Sequence, residues 1–438
     1  MQFRLPASVF AFTLVLASAS GDRLVAQEYH VLTRPKLPSR DSLDKLNLRL
    51  AWSTQLNLDG ERDSIASFQI IPGPPQTQIV VQSRRGEVHL FDAETGDLRW
   101  KTQVALPYWP GYDAGYNSHS IYVSRRDMLF CLSRDRGIHR FVEINPVTKQ
   151  RTPGFRVDFA PSTGPAADEE RVFLVMNNRV IAFQVPNFEI IARTKFIRSE
   201  NTLYQDEAST LMPGRLWTYY EPGMQVNHTP VVTSGQLGMV TTDGRFLSFN
   251  KQERILRIEY KTYGAISANV SFYGETAYFG SHDYTLYALN ARNGQLAWRY
   301  LTGAPIVQRP YVTSQDVFIA AEGKGMSRLD RITGEKLWTN NEAQRVLTLN
   351  NSFVYALDRL GNMLVLDGLR GTALARYDMR EWLVPLSNEL TDRIYFTNHD
   401  GQLICLRHRD NEDPLVLRAP EPEKRPLTPA PAPAPAMP

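Results

Sequence analysis

Two His-Asp pairs, His282-Asp283 and His399-Asp400, carry the side chains of this chain best suited by type to bind a metal ion or relay a proton. Neither has a second histidine at zincin or carbonic-anhydrase-like spacing. Both pairs fall where turns are expected, at positions equivalent to Asp243 and Gly323. An aspartate in a turn accepts hydrogen bonds from its own backbone, which accounts for these residues without metal. Nucleophilic chemistry has no better footing. There is no Gly-x-Ser-x-Gly, no glycine-rich phosphate loop, and the Ser, His and Asp residues are scattered singly. Cys131 and Cys405 are expected to be two buried thiols, with a disulfide between them as the alternative. The residues therefore assign no catalytic, metal-binding or cofactor-binding position, and no cofactor is expected.

The elements that would position any site announce themselves by repetition. A turn-like position is followed seven residues later by an anchor near the end of a strand-like run. The pairs are Arg85/Asp92, Ile138/Asn145, Asn177/Gln184, Asp243/Asn250, Asp283/Asn290, Gly323/Asp330, Leu360/Asp367 and Asp400/Arg407. Anchors follow one another by 53, 39, 66, 40, 40, 37 and 40 residues. A step near forty is the period of one four-stranded propeller blade. The fold class expected is all-β, an eight-bladed β-propeller of four-stranded antiparallel blades. With 42% hydrophobic residues, 19 Tyr, 20 Phe and 7 Trp, the composition suits pleated, half-buried strands.

The unit is clearest around residues 267–298, where Ser267 to Phe272, Thr276 to Gly280, Leu286 to Asn290 and Leu296 to Trp298 read as strands A, B, C and D. Gly294 suits a tight C-to-D turn of positive φ, and Trp298 offers a flat surface to the neighbouring blade. The phrase recurs with Asp92, Gly96 and Trp100, again with Asp330, Gly334 and Trp338, and in degraded form at Asp367 and Gly371. Its pattern, Asn290-x-x-Asn293-Gly294-x-x-x-Trp298-x-x-x-x-Gly303, resembles the repeat of pyrroloquinoline-quinone (PQQ) type propellers. In the quinoprotein dehydrogenase branch the resemblance implies a funnel-bound quinone, a calcium ion and a catalytic aspartate. Many of those enzymes carry two adjacent cysteines, which this chain lacks, and no position here matches the calcium ligands or the base. The chain also resembles the BamB family, which implies an eight-bladed periplasmic scaffold in outer-membrane β-barrel assembly. Finally, Leu48-Arg-Leu50-Ala-Trp52 is an orphan strand with the same Leu-x-Trp ending, while the last C strand, Gly401 to Leu406, lacks a D strand. Pairing the two closes the eighth blade and removes the exposed edges.

Charge and termini bound the rest. The formal net charge of +3 is the difference between 49 basic and 46 acidic residues, so no global field favours nucleic acid. Residues 1–26 read as a secretory signal peptide, with Arg4 in the n-region and an apolar run from Leu5 to Ala17. No cysteine stands near a cleavage point to serve as a lipid anchor. No later stretch is long and apolar enough to span a membrane, so the expectation is a soluble exported protein, periplasmic or secreted. Residues 27–46 are expected to be a linker, 47–409 the propeller, and 410–438 a Pro/Ala-rich disordered tail.

The interruptions of the repeat carry the functional expectation. The long step from Gln184 to Asn250 is read as an insertion near Ser199 to Asn227, joining strand D of blade three to strand A of blade four, with Tyr204, Trp217, Tyr219 and Tyr220. A smaller excess after Trp100 holds Tyr108, Trp109, Tyr112 and Tyr116. Both are read as D-to-A loops, which share a face with the B-to-C turns. Aromatics on one loop face suit recognition of another protein, or alternatively cap the central funnel. The function expected is a monomeric, non-enzymatic exported scaffold that binds another envelope protein through this face, in cell-envelope or outer-membrane protein assembly. The alternatives are a PQQ-dependent dehydrogenase-like redox enzyme and a carbohydrate-binding propeller that uses Trp109 and Trp217.

Overall fold

A computed structural model describes residues 35–58, 63–73, 76–104, 111–144, 147–148, 150–176, 178–186 and 213–418. Among these residues, eight four-stranded antiparallel sheets and one two-stranded hairpin account for the β-structure. Blades one to seven occupy residues 65–103, 115–156, 166–220, 231–261, 271–301, 311–340 and 343–378. Blade eight takes strands A to C from residues 384–408, and its D strand is Leu48–Gln55, paired antiparallel with Gln402–His408. Trp52 lies opposite Cys405 in that register. The N-terminal closure expected from Leu48 to Trp52 is therefore the observed one.

The hydrophobic core is divided between the blades. Inner strands such as Gln78–Ser83 and Ser120–Arg125 are buried along their whole length, because each lies between two neighbouring sheets. Outer strands such as Leu98–Gln103 bury one residue and expose most others. The buried apolar side chains fall into eight clusters, each joining two consecutive blades. One of them brings Tyr395, Leu403 and Cys405 of blade eight against Ile79, Val81 and Phe91 of blade one. Eight blades in an open row would share seven such cores, so the eighth requires a closed ring.

The repeat residues make four of these junctions. Trp52, Trp100, Trp298 and Trp338 each lie on the C-to-D turn of the following blade, over Gly96, Gly137, Gly334 and Gly371. Their indole N–H groups donate to Ala93 O, Arg134 O, Arg331 O and Gly368 O at 2.9 to 3.0 Å. Gly334 has φ +75°, and a Cβ built on it would stand 2.5 Å from the Trp298 ring. The glycine is thus required twice, by a left-handed turn and by the ring above it. The anchor four residues earlier caps the same turn. Asp330 Oδ1 accepts from the Ile332 and Thr333 amides, and Asp92 and Asn290 do the same in their blades. Arg407 needs no such side chain, because its blade has no C-to-D turn.

The structure corrects the placement of the irregular segments. Strand C of blade two is Met128–Ser133, so its anchor is Ser133, whose hydroxyl accepts from the Ile138 amide, and Asn145 is not that anchor. The main excess in this blade is a hairpin, Val142–Ile144 with Arg151–Pro153, inserted between C and D, and the link after Trp100, residues 104–114, exceeds the next four D-to-A links by only one or two residues. Strand D of blade three is Gly214–Tyr220, so the larger insertion precedes that strand and joins C to D. Both insertions consequently emerge at the A-B/C-D end of the ring, opposite the expected end.

The flanks differ too. Within the expected linker, Arg40–Lys45 form a helix capped by Ser39, whose hydroxyl accepts from the Ser42 amide. Leu43 and Leu46 enter the core between blades seven and eight. Six residues are too few for helical periodicity to register in the sequence. At the other end, residues 410–418 hold to the ring instead of opening a tail. Buried Arg393 donates to Asn411 O and Glu412 O, Asp392 accepts from the Leu415 amide, and Arg418 donates to Phe272 O of blade five at 2.7 Å. Residues 1–34, which include the segment read as a secretory signal, and residues 419–438 lie outside the described residues.

Candidate docking face

Four large aromatic side chains are exposed among the described residues: Phe159, Tyr220, Tyr263 and Tyr284. All four lie at the B-C/D-A end of the ring. Phe159 and Tyr263 belong to D-to-A links, Tyr220 ends strand D of blade three, and Tyr284 lies in a B-to-C turn. Each follows from local chain geometry. Tyr284 has φ +68°, a left-handed position that turns its side chain away from the sheet, and it is 46% exposed. Tyr263 donates its amide to Asp283 Oδ2 at 3.0 Å while the residue is 94% exposed.

Around Tyr220 the face is pre-ordered. The Arg179 guanidinium lies 4.7 Å from the Phe159 ring centroid and 5.3 Å from that of Tyr220, between two aromatic surfaces. Beside it Tyr219 donates to Glu221 Oε2 at 2.9 Å, and burial together with that acceptor pushes the phenol up to about 12. Glu221 is gripped in turn by Arg245, which also meets Asp243 at 2.8 Å and Glu259 at 3.2 Å. Such a surface offers flat apolar area, one oriented guanidinium and fixed charges, the means by which protein surfaces are recognised.

Among the described residues expected to form the interface, Tyr220 is the one that stands exposed on this face. Trp217 is 9% exposed in the core between blades three and four, facing Phe173 at 5.9 Å. It is the D-strand tryptophan of its blade, which Leu216-Trp217 betrays by matching Leu337-Trp338, and its burial removes it as a sugar-stacking surface. Tyr219 is half-buried against Phe249. Tyr116 is in strand A of blade two and lines the central cavity, and Tyr112 contributes its carbonyl to Gln82. Tyr108, Trp109 and Tyr204 lie outside the described residues. Phe159, Arg179, Tyr263 and Tyr284 were not legible as a site, although Tyr263-Gly264 and Asp283-Tyr284 both place tyrosine in a turn of the repeat.

The His-Asp pairs act as turn residues. Asp283 accepts from the Tyr263 and Thr285 amides and from the Tyr287 hydroxyl, and His282 Nε2 meets Ser267 Oγ at 2.8 Å. No cluster of three His, Cys, Asp or Glu suited to a metal occurs among the described residues. Cys131 and Cys405 are free, and both are buried.

With this geometry in place, known proteins can be set beside it. The family model described as outer membrane protein assembly factor BamB matches residues 214–420, from strand D of blade three through strand C of blade eight. The outer membrane protein assembly factor BamB of Yersinia pestis is 32% identical over 84 residues, 19% of this chain and 21% of the relative. The matched stretch is thus about a fifth of that relative's length. The crystal structure of BamB from Moraxella catarrhalis superposes with a TM-score of 0.59 at 14% identity, covering 83% of this chain and 98% of that one. The computationally designed Ika8 protein gives 0.56 at 13%, covering 80% and 97%. At these identities the superpositions speak to the fold alone. Together with the family model and the curated relative, the repeated Gly-x-x-x-Trp junctions make this chain a PQQ-like β-propeller resembling BamB.

Proposed function

We propose that this protein is an exported, non-enzymatic scaffold that docks another envelope protein on the B-C/D-A end of its ring, in the setting of outer-membrane protein assembly. The observation that carries the reading is the gathering of all four exposed aromatics of the described residues on that end. Exposed aromatic rings cost solubility unless a partner covers them, and Tyr with Arg is the pairing enriched at interface hot spots. The likeness to an outer membrane protein assembly factor supplies the setting. The segment read as a secretory signal supplies the compartment.

A photo-crosslinking amino acid placed at Tyr263 or Tyr220 in cells tests this directly. The expected result is a discrete crosslink to one envelope protein, weakened at least tenfold by Arg179→Ala, with no crosslink from a probe at Leu374 on the outer rim. Equal crosslinking from the rim, or none from the face, would refute the reading. A deletion of residues 199–227 is unsuitable, since it removes strand D of blade three.

A further inference from the structure

The A strands enclose a central cavity of about 810 Å³, within the range of roughly 300–1,000 Å³ typical of small-molecule sites. Three arginines, Arg309, Arg345 and Arg418, line it against two carboxylates, Asp113 and Glu389. Glu389 is shared, meeting Arg309 at 3.4 Å and Arg418 at 3.3 Å. Asp113 is engaged by the Ser67 hydroxyl at 2.6 Å. Arg345 stands apart from this compensation. Its Nε donates to Ser387 Oγ at 3.0 Å, and no carboxylate pairs with it among the described residues. Its side chain is exposed to the cavity, and desolvation by the A strands around it, with no opposing charge beside it, lowers its pKa. Next to it, the buried amide nitrogen of Gln344 has no hydrogen-bond partner.

Other arginines of the interior have carboxylate, amide or carbonyl partners. Arg393 meets Asp392 and Glu94, Arg328 meets Asp316, and Arg134 meets Gln78 and two carbonyls. A guanidinium that faces the cavity without a carboxylate partner presents a fork that matches a carboxylate or phosphate in two-point contact. We infer that the central cavity binds an oxyanion of the carboxylate or phosphate type, held by Arg345 and Gln344 with the Arg309, Glu389 and Arg418 group at its side. This site is separate from the docking face and does not depend on it.

Isothermal titration calorimetry of the full chain with citrate and, separately, pyrophosphate tests the site. One saturable site is expected for at least one probe. Citrate alone would assign a carboxylate ligand and pyrophosphate alone a phosphate. Arg345→Gln is expected to weaken binding at least tenfold, Arg345→Lys less, and Arg292→Gln on the outer surface not at all. Should Arg345→Gln fail to fold, the Arg345→Lys and Gln344→Ala variants carry the comparison. Absence of saturable binding at millimolar probe, or equal binding by the Arg345 and Arg292 variants, overturns the assignment.

Discussion

Gly334→Ala against Gly294→Ala isolates the contact that joins the blades. Both glycines have φ +75°, so an alanine at either pays the same left-handed penalty, about 1–2 kcal/mol, less the roughly 0.4–1 kcal/mol gained by stiffening the unfolded chain. What differs is the neighbour. At Gly334 the new methyl would stand 2.5 Å from Trp298, whereas at Gly294 the nearest atom is Ile258 Cδ1 at 3.1 Å, the end of a flexible side chain. Trp298 cannot retreat without losing its hydrogen bond to Arg331 O. Overpacking of this kind costs about 1–3 kcal/mol more. Gly294→Ala should therefore lose about 0–1.5 kcal/mol, and Gly334→Ala should lose more by about 1–3 kcal/mol.

Urea melts followed by tryptophan fluorescence and by circular dichroism measure the gap, provided both probes give one transition. For a propeller of this size, 1 kcal/mol corresponds to roughly 1–1.5 °C in Tm. A Trp298→Leu background supplies the control, since there Gly334→Ala should cost no more than Gly294→Ala. Equal losses for the two alanines in the wild-type background, within about 0.5 kcal/mol, would show that the indole does not bear on the glycine.

Three further outcomes follow from the same structure. Removing residues 46–56 takes away strand D of blade eight and the Trp52 junction, and should lower the melting temperature markedly; an unchanged calorimetric trace counts against closure. Arg393→Met leaves Asp392, itself 1% exposed, without its buried cation, and should cost about 3–5 kcal/mol and raise hydrogen exchange at residues 410–418 above wild type. His89 is buried with its pKa lowered, first by burial, so the unfolded chain takes up the proton more readily. Its contribution is full above the unfolded value near 6.5 and is lost as pH falls below it, and His89→Gln should flatten the stability profile between about pH 7 and 5.

The repeat was legible because its residues answer to local physics. A turn of positive φ demands glycine, its amides demand an Asx side chain, and the ring above demands a flat aromatic, all at fixed spacing. Where one demand lapses the spacing misleads. Ser133 can cap its turn with a hydroxyl, so the Asn145-Pro146 pair, which looks more like an anchor, drew the reading twelve residues downstream. The better signal was Gly137, four residues after Ser133, as Gly334 is after Asp330. Trp217 was mistaken for a loop residue because the insertion separates it from its own C strand. The candidate docking face was hidden for a different reason: Phe159, Arg179 and Tyr220 come from two blades and meet only in the fold.

The two ends of the ring differ in what they leave available. At the A-B/C-D end, blades two and three carry the C-to-D insertions, and residues 410–418 cross from blade eight toward blade five, with Leu417 bonded to Leu390 O and Arg418 to Phe272 O. The B-C/D-A end carries the exposed aromatics. A partner bound there would meet D-to-A links and B-to-C turns, which rest on eight interblade cores and have little freedom to move. Coupling between sites needs an element with two arrangements that each ligand distinguishes. A closed ring in which four of eight junctions are tryptophan on glycine provides none at those four, since the glycine side has no room and the tryptophan side has a fixed hydrogen bond. Docking on one end and oxyanion binding on the axis should then be energetically independent. The Arg179→Ala and Arg345→Gln effects should add without an interaction term, and a measurable term would mean that the A strands, not the junctions, carry motion between the two.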